Sequence, residues 1–593
     1  MNREQRNCQN CKESFVIDDQ DFKFYEKIKV PPPTWCPGCR MIRRMIWRNE
    51  RTLHKTVCQA PGHSEPMLSI FHPEDNFKVV DSKFWWSDDW SPLDYGRDYD
   101  FSKPFFTQFR QLLGTVPLLN LFSTNSVNSD YENHSHESKN CYLIFATVDN
   151  ENVMFSRGSI HGRDSLDLLR TEKVESSYEL IDCEECYRLF WSRDCVGCND
   201  SYFLLDCKNC SNCIGCVGLR NSSYCIFNEQ LSKEEFEKKK SAMNLGSRKS
   251  NEEIKTRLRE LSKNFPRKYA HLLNTVNAVG DHLSYAKNCY KCFDLVGGSE
   301  DSRYVVHGGL NLKDSYDSYG IGIGELMYES IDVGLESSRI LFEVVGRGGY
   351  DVFYANNCYQ SNNIFGCVGL RNKQYCILNK QYTRQEYEKM IPKIIEHMNE
   401  VPYTDRKGRV YRYGEFFPPE LSPFAYNETI AQEYFPLTKE EVIEKGYRWR
   451  DPETRGYKIT KHPEDLPDNV KDTDDAILKE TIACEHEGKC NEQCTTAFRI
   501  IESELQFYRK MNLPLPRLCP NCRHYQRLKQ RNPLKLWPRK CQCAGRKSEN
   551  RAYSNTGKHF HGENHCPNEF ETSYSPEREE IVYCEQCYNS EIA

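Results

Sequence analysis

Cysteines come in pairs at both ends of this chain, and arginines follow the pairs. Near the start, Cys8 and Cys11 form one knuckle, and Cys36 and Cys39 form another that runs into "CPGCRMIRRMIWRN". Near the other end "CPNCRHYQRLKQRN" repeats those words, with Cys519 and Cys522 preceded by Cys490 and Cys494. Four thiolates from two knuckles suit a tetrahedral zinc ion, whose binding energy replaces the apolar core that so small a module cannot build. One zinc is therefore expected at Cys8, Cys11, Cys36 and Cys39, and another at Cys490, Cys494, Cys519 and Cys522. Behind the knuckles, Arg40, Arg44 and Arg48 match Arg523, Arg527 and Arg531 at four-residue steps. On a helix these arginines share one face, where they can meet phosphates or carboxylates through charge-assisted hydrogen bonds. Contact with RNA or DNA is the expectation for that face. A solvated face paired with the chain's own carboxylates, and a surface for a protein partner, are the competing readings.

The match between the ends goes further. Cys11, Cys36, Cys39 and Cys58 recur 483 positions later as Cys494, Cys519, Cys522 and Cys541, and Phe24 and Tyr25 recur as Phe507 and Tyr508. The ends read as copies of one module, with the first knuckle of the second copy loosened to CxxxC. A further module closes the chain: "IVYCEQCYN" supplies Cys584 and Cys587, with Cys541, Cys543, His565 and Cys566 as candidates for the other two positions of a third zinc. Its N-terminal counterpart carries Asp81 and Phe84 where Cys584 and Cys587 stand. Cys58 and His63 are then left alone, and that site is expected to be empty and held by aromatic residues.

Ligands need a frame to position them. At 593 residues, 38% hydrophobic and 12% aromatic, the chain has material for several cores. Its formal net charge of -6 excludes a generally basic nucleic-acid coat, so any polyanion contact must be local. No run reaches the roughly 18 apolar residues of a membrane span, and the start has no signal-like segment. A soluble cytoplasmic protein is expected, whose 30 cysteines are ligands and buried thiols rather than disulfides.

Through the middle, Tyr142, Met154, Leu166, Tyr178, Phe190, Tyr202, Ile214 and Ile226 are spaced by twelve, and Asn140, Asn152, Asp164, Asp200 and Asn212 keep the same step. Short β-favouring pieces between turn formers at a fixed period read as a parallel β-helix. Whether twelve residues make one tight coil or half of a larger one stays open. "IGCVGLRNSSYCIFNEQLSKEEFEKK" returns later as "FGCVGLRNKQYCILNKQYTRQEYEKM", which gives two consecutive solenoids. Each ends at a capping box, Ser232 with Glu235 and Thr383 with Glu386, opening a helix that covers an otherwise exposed sheet edge.

The expected architecture is therefore mainly β. A zinc ribbon (1–57) leads, followed by a degenerate second ribbon with an aromatic docking segment (58–130). Solenoids at 131–228 and 281–379 are separated by a helical cap and linker (229–280). A cap and irregular connector (380–480), a C-terminal ribbon (481–540) and a second zinc-binding module (541–593) complete the chain. This order of knuckle module, "WWSDDWSPLDYGRDYDFSKPFF", "GCVGLRN" coils and closing "NEFETSYSPEREEIVYCEQCY" resembles an uncharacterised family of zinc-ribbon proteins from candidate-phyla bacteria. The resemblance spans essentially the whole chain. It implies a bacterial, cytoplasmic zinc protein and brings no activity with it.

Two more constellations carry potential chemistry. Cys183, Cys195 and Cys207 form one ladder at twelve-residue steps, and Cys186, Cys198 and Cys210 form a second. Stacked thiols can hold a metal or exchange disulfides, but the favoured reading is small inward residues filling a narrow solenoid. In "FWWSDDWSPLDYGRDYDFSKPFF", Asp88, Asp89, Asp94, Asp98 and Asp100 lie among aromatics, a mixture compatible with glycoside chemistry. The favoured reading here is a plug docking the N-terminal module onto the first solenoid. No Ser/His/Asp order, phosphate loop or HExxH occurs. A non-enzymatic binding scaffold is thus expected, with a carbohydrate-active or otherwise catalytic β-helix, and a protein-interaction scaffold without nucleic acid, as alternatives.

Overall fold

The computed structural model describes residues 3–452 and 456–592. It is mainly β, built on solenoid coils, with few helices. In the first solenoid Leu166 lies beside Tyr178, Tyr178 beside Phe190, Tyr202 beside Ile214 and Ile214 beside Ile226, all in parallel register. Twelve residues therefore make one complete coil. The left-handed backbone explains the turn formers: Asn140, Leu143, Ala146, Asp149 and Asn152 all have positive φ, so every third residue is a corner and each coil has four sides. Asn and Asp tolerate such corners best among residues with a side chain. They also bond along the stack, Asn140 Nδ2 to Asn152 Oδ1 at 3.3 Å and Asn152 Nδ2 to Asp164 Oδ1 at 2.8 Å.

The residue after each corner is buried, as Cys141, Ile144, Thr147, Asn150 and Val153 show. The second solenoid follows the same plan with uneven coils: Leu272 pairs with Leu283, Phe293 with Val306 and Val352 with Ile364. Both solenoids finish in a short antiparallel return, Ile226 with Glu229 and Ile377 with Lys380. The helices Lys233–Ala242 and Arg384–Glu400 then start at the two expected capping boxes. Phe236 packs on Tyr224 and Tyr387 on Tyr375, so each cap is pinned by an aromatic pair. No helix among the described residues is long and apolar enough to cross a membrane.

The linear order of modules is not their spatial order. Two compact units form, 1–121 with 270–450 and 122–269 with 451–593. The N-terminal ribbon thus belongs with the second solenoid, and the C-terminal ribbon with the first. The aromatic segment follows the N-terminal ribbon, which corrects its expected docking on the first solenoid. Trp86 packs on Tyr359 at 4.8 Å, Phe105 on Phe365 at 5.3 Å, and Arg371 lies over Trp85 at 5.2 Å.

Candidate metal centres and arginine clasps

Each ribbon places its second knuckle at the start of a helix. Pro37–Met45 and Pro520–Leu528 both begin with proline, whose fixed φ suits the first helical position, and both have a cysteine as N-cap. In the N-terminal ribbon Cys8, Cys11, Cys36 and Cys39 converge as expected, with Cys11 Sγ 3.7 Å from Cys36 Sγ. That is close to the roughly 3.8 Å edge of a sulfur tetrahedron built on metal–sulfur bonds of about 2.3 Å.

The C-terminal ribbon departs from expectation at one ligand. The four convergent thiols are Cys484, Cys494, Cys519 and Cys522. Cys484 takes the role of Cys8, for its sulfur accepts the Cys519 amide at 3.3 Å just as Cys8 accepts the Cys36 amide at 3.2 Å. Cys490 lies to one side, 3.7 Å from Cys522 Sγ, in a group with His486 and Glu492. Glu492 is already paired with Lys529 and lies 3.2 Å from His486. An insertion between Cys484 and Cys494 breaks the copy register that pointed to Cys490.

In the closing module Cys541, Cys566, Cys584 and Cys587 form a third buried group, and the Cys584 amide meets Cys541 Sγ at 3.2 Å. Cys543 stands beside this group, near His559 and His561, whereas His565 is exposed. At the N-terminal counterpart, Cys58 and His63 are not alone. Cys58 Sγ donates to Asp81 Oδ2 at 2.9 Å, and His63 Nδ1 lies 3.6 Å from the same oxygen.

The expected basic faces are not on the surface. Arg40, Arg44, Arg48, Arg523, Arg527 and Arg531 are each at most 8% exposed. Their partners are carboxylates at solenoid corners. Arg40 meets Asp317 at 2.7 Å, Arg44 meets Glu329 at 3.0 Å and Arg48 meets Asp332 at 2.9 Å. In the other unit Arg527 meets Asp167 at 2.8 Å, Arg531 meets Asp182 at 2.7 Å, and Arg523 reaches Asp167 at 3.4 Å as well as the ribbon's own Glu504 at 3.1 Å. Burial alone would push the Arg40 and Arg523 guanidinium groups down, but Asp317 and Asp167 more than reverse this and hold both well above the usual range. Aromatic contacts complete each clasp: Phe24 stacks on Tyr316 at 3.8 Å, and Tyr508 meets Tyr178 edge-on at 5.8 Å. The face read as a nucleic-acid surface thus lies buried in the joint between ribbon and solenoid, its arginines paired with carboxylates of the same unit.

The cysteine ladders do the work of serines. Cys183 Sγ bonds the Ile181 carbonyl at 3.3 Å, as Ser192 Oγ bonds the Phe190 carbonyl at 2.9 Å. The aspartates of the aromatic segment diverge onto separate partners, Asp89 to Ser87, Asp98 to Lys380 and Asp100 to Lys103.

Beside one clasp runs a groove that sequence reasoning missed. In the unit of the C-terminal ribbon it is open, a cleft of about 700 Å³ between the ribbon and the helix Arg248–Ser262. Its floor includes Trp191 stacked on Phe203 at 4.8 Å. Arg248, Lys255, Arg259 and Arg517 line it with Glu252, Glu485 and Glu580, and Arg248 is paired with Glu485. Burial, and after it the neighbouring Arg248, push Arg517 down to about 10.

In the other unit the matching stack, Phe342 on Tyr354 at 4.4 Å, is covered by the chain itself. Tyr413 and Phe417 pack on Tyr354, Phe417 also packs on Trp47, and Glu415 binds Arg43 at 2.7 Å and the Thr34 amide at 2.9 Å.

No protein-family model matches the chain, and no curated protein is significantly similar to it.

Proposed function

We propose that this protein is a non-enzymatic, zinc-stabilised scaffold whose open groove receives an aromatic, glutamate-bearing segment of a partner protein. The observation that carries this reading is a contrast: in the unit of the N-terminal ribbon the chain's own "YRYGEFF" (411–417) packs over the aromatic stack, whereas in the other unit a cleft stays open between the matching stack, the ribbon and the helix Arg248–Ser262. Both have an aromatic stack and guanidinium groups on the ribbon side, although Gln526 replaces Arg43 in the open one and Arg517 is there the nearest ribbon arginine to take a carboxylate, so the filled one is the guide to the chemistry the open one accepts. Zinc is the metal that suits the thiol groups, which lock each ribbon in shape so that its arginine clasp can form. The two units are duplicates in this account, one complete in itself and one awaiting its plug. Nucleic acid gains nothing from the six clasp arginines, and its binding is reduced to an outcome of the groove test.

A fluorescein-labelled peptide copying 410–418 should bind the full-length zinc-loaded protein with saturable anisotropy. Arg248→Gln with Arg259→Gln should weaken it about tenfold or more, and a peptide with glutamine in place of its glutamate should bind less tightly. Equal binding by the doubly substituted protein would defeat the reading. So would a parent that ignores the peptide but binds single-stranded RNA with the steep salt dependence of phosphate contacts.

A further inference from the structure

The closing module holds more ligand-type side chains than one tetrahedral ion needs. Cys541, Cys566, Cys584 and Cys587 already supply four sulfurs. Cys543, His559 and His561 converge on the same Cys587, and within each set the ligand atoms lie within 4.8 Å of one another. Cys566 and Cys584 are 3.8 Å apart in the first set; in the second, Cys543 Sγ is 3.6 Å from His559 Nδ1, and His561 Nε2 is 3.2 Å from Cys587 Sγ. Zinc bonds of about 2.3 Å to sulfur and about 2.0 Å to nitrogen give tetrahedral edges of about 3.8 Å between sulfurs and about 3.5 Å between sulfur and nitrogen.

The outer partners of the histidines are those of metal ligands. His559 Nε2 donates to Glu591 at 2.8 Å, and His561 Nδ1 donates to the Asn564 carbonyl at 2.7 Å. Those bonds leave His559 Nδ1 and His561 Nε2 as the bare nitrogens, and these are the atoms aimed at the two sulfurs. Glu591 is itself held by the Thr556 and Gly557 amides at 2.8 and 3.0 Å. Asn555 Nδ2 points at Cys543 Sγ at 3.2 Å, as Asn568 Nδ2 points at Cys584 Sγ at 3.3 Å. The Cys543 side is thus built like the four-sulfur side.

Charge favours filling both sets. A single dication among four thiolates leaves two negative charges in a buried place, whereas two dications among five thiolates and two neutral imidazoles leave one. We propose that the closing module binds two soft-ligand divalent ions, of the class of zinc, bridged by the Cys587 thiolate. Cys541, Cys566 and Cys584 complete one site; Cys543, His559 and His561 complete the other. This goes beyond the scaffold reading and does not depend on the groove.

Elemental analysis of the full-length protein tests it. His559→Gln with His561→Gln should carry one metal ion fewer than the parent while keeping the rest. In protein loaded with cobalt, the parent's bridged pair should show magnetic coupling that the double variant lacks. Should that variant fail to fold, Glu591→Ala decides, since loss of an outer-shell partner should weaken one ion about 10- to 100-fold in chelator competition. Equal metal content in parent and double variant, uncoupled cobalt in the parent, or an unchanged chelation profile in Glu591→Ala would overturn the proposal.

Discussion

The two clasps close alike but carry different numbers of charges. In the unit of the N-terminal ribbon, Arg40, Arg43 and Arg44 share Asp317, Glu329 and Glu415. In the other unit Arg523 and Arg527 share Asp167 and Glu504, and Gln526 stands at the position matching Arg43. The extra arginine comes with the extra segment, for Glu415 belongs to the stretch that packs over the aromatic stack. A third buried guanidinium is tolerable only where a third carboxylate is brought to it, since an unpaired buried charge costs several kcal/mol. The comparison separates a constant part, the clasp, from a variable part, the groove.

Removing one carboxylate should break the smaller network harder. Asp167→Ala leaves Arg527 only the Phe155 carbonyl at 3.2 Å and should cost about 3–5 kcal/mol. Asp317→Ala should cost less, because Glu329 still reaches Arg44 at 3.0 Å. Urea unfolding midpoints check the order, and a milder Asp167→Ala would break the comparison.

The solenoids offer a gentler contrast. Each buries a carboxyl group, Glu343 in one and Glu132 in the other. Burial pushes Glu132 up to about 7 and pushes Glu343 well above the usual range. A raised carboxyl pKa means that the folded state holds the proton more tightly than the unfolded chain does. The contribution is therefore fully present below pH about 4.5 and is lost as pH rises through about 7, up to about 3 kcal/mol for Glu132. Glu132→Gln should raise stability at pH 8 and leave it almost unchanged at pH 4, and Glu343→Gln should do the same more strongly. Thermal unfolding at the two pH values measures both.

The smallest effect sharpens the contrast between the second modules. Asp81→Cys with Phe84→Cys would set two thiols beside Cys58 and His63, which the fold already brings together, and elemental analysis should find one metal ion more than in the parent. An unchanged count would mean that the module has lost more than its knuckle.

Much of this fold is written locally. The short spacings Cys8 to Cys11 and Cys36 to Cys39 announce a ribbon because a knuckle is made by neighbouring residues. The twelve-residue step is visible because every coil repeats the same corners. That twelve residues close a full coil was not legible, since closure rests on a left-handed corner at every third residue, and residues such as Leu143 and Ala146 give no hint of one. Cys484 escaped notice because its loop is longer than that of Cys8, and His559 and His561 because only folding brings them to Cys587. The burial of the arginines was hidden for the same reason. Their partners, Asp317 and Asp167, lie in solenoids far along the chain, and helical spacing cannot tell a solvated face from a buried joint.

The clasp itself can be tested in one measurement, the thermal unfolding of zinc-loaded protein with Arg40, Arg44, Arg523 and Arg527 all replaced by Gln. Exposed arginines would cost under about 1 kcal/mol each. Buried clasps should cost about 3–5 kcal/mol for each carboxylate left unpaired, so the variant should unfold many degrees below the parent or fail to fold. An unfolding temperature equal to the parent's, with zinc content intact and binding to RNA abolished, would contradict the account and return these arginines to the surface.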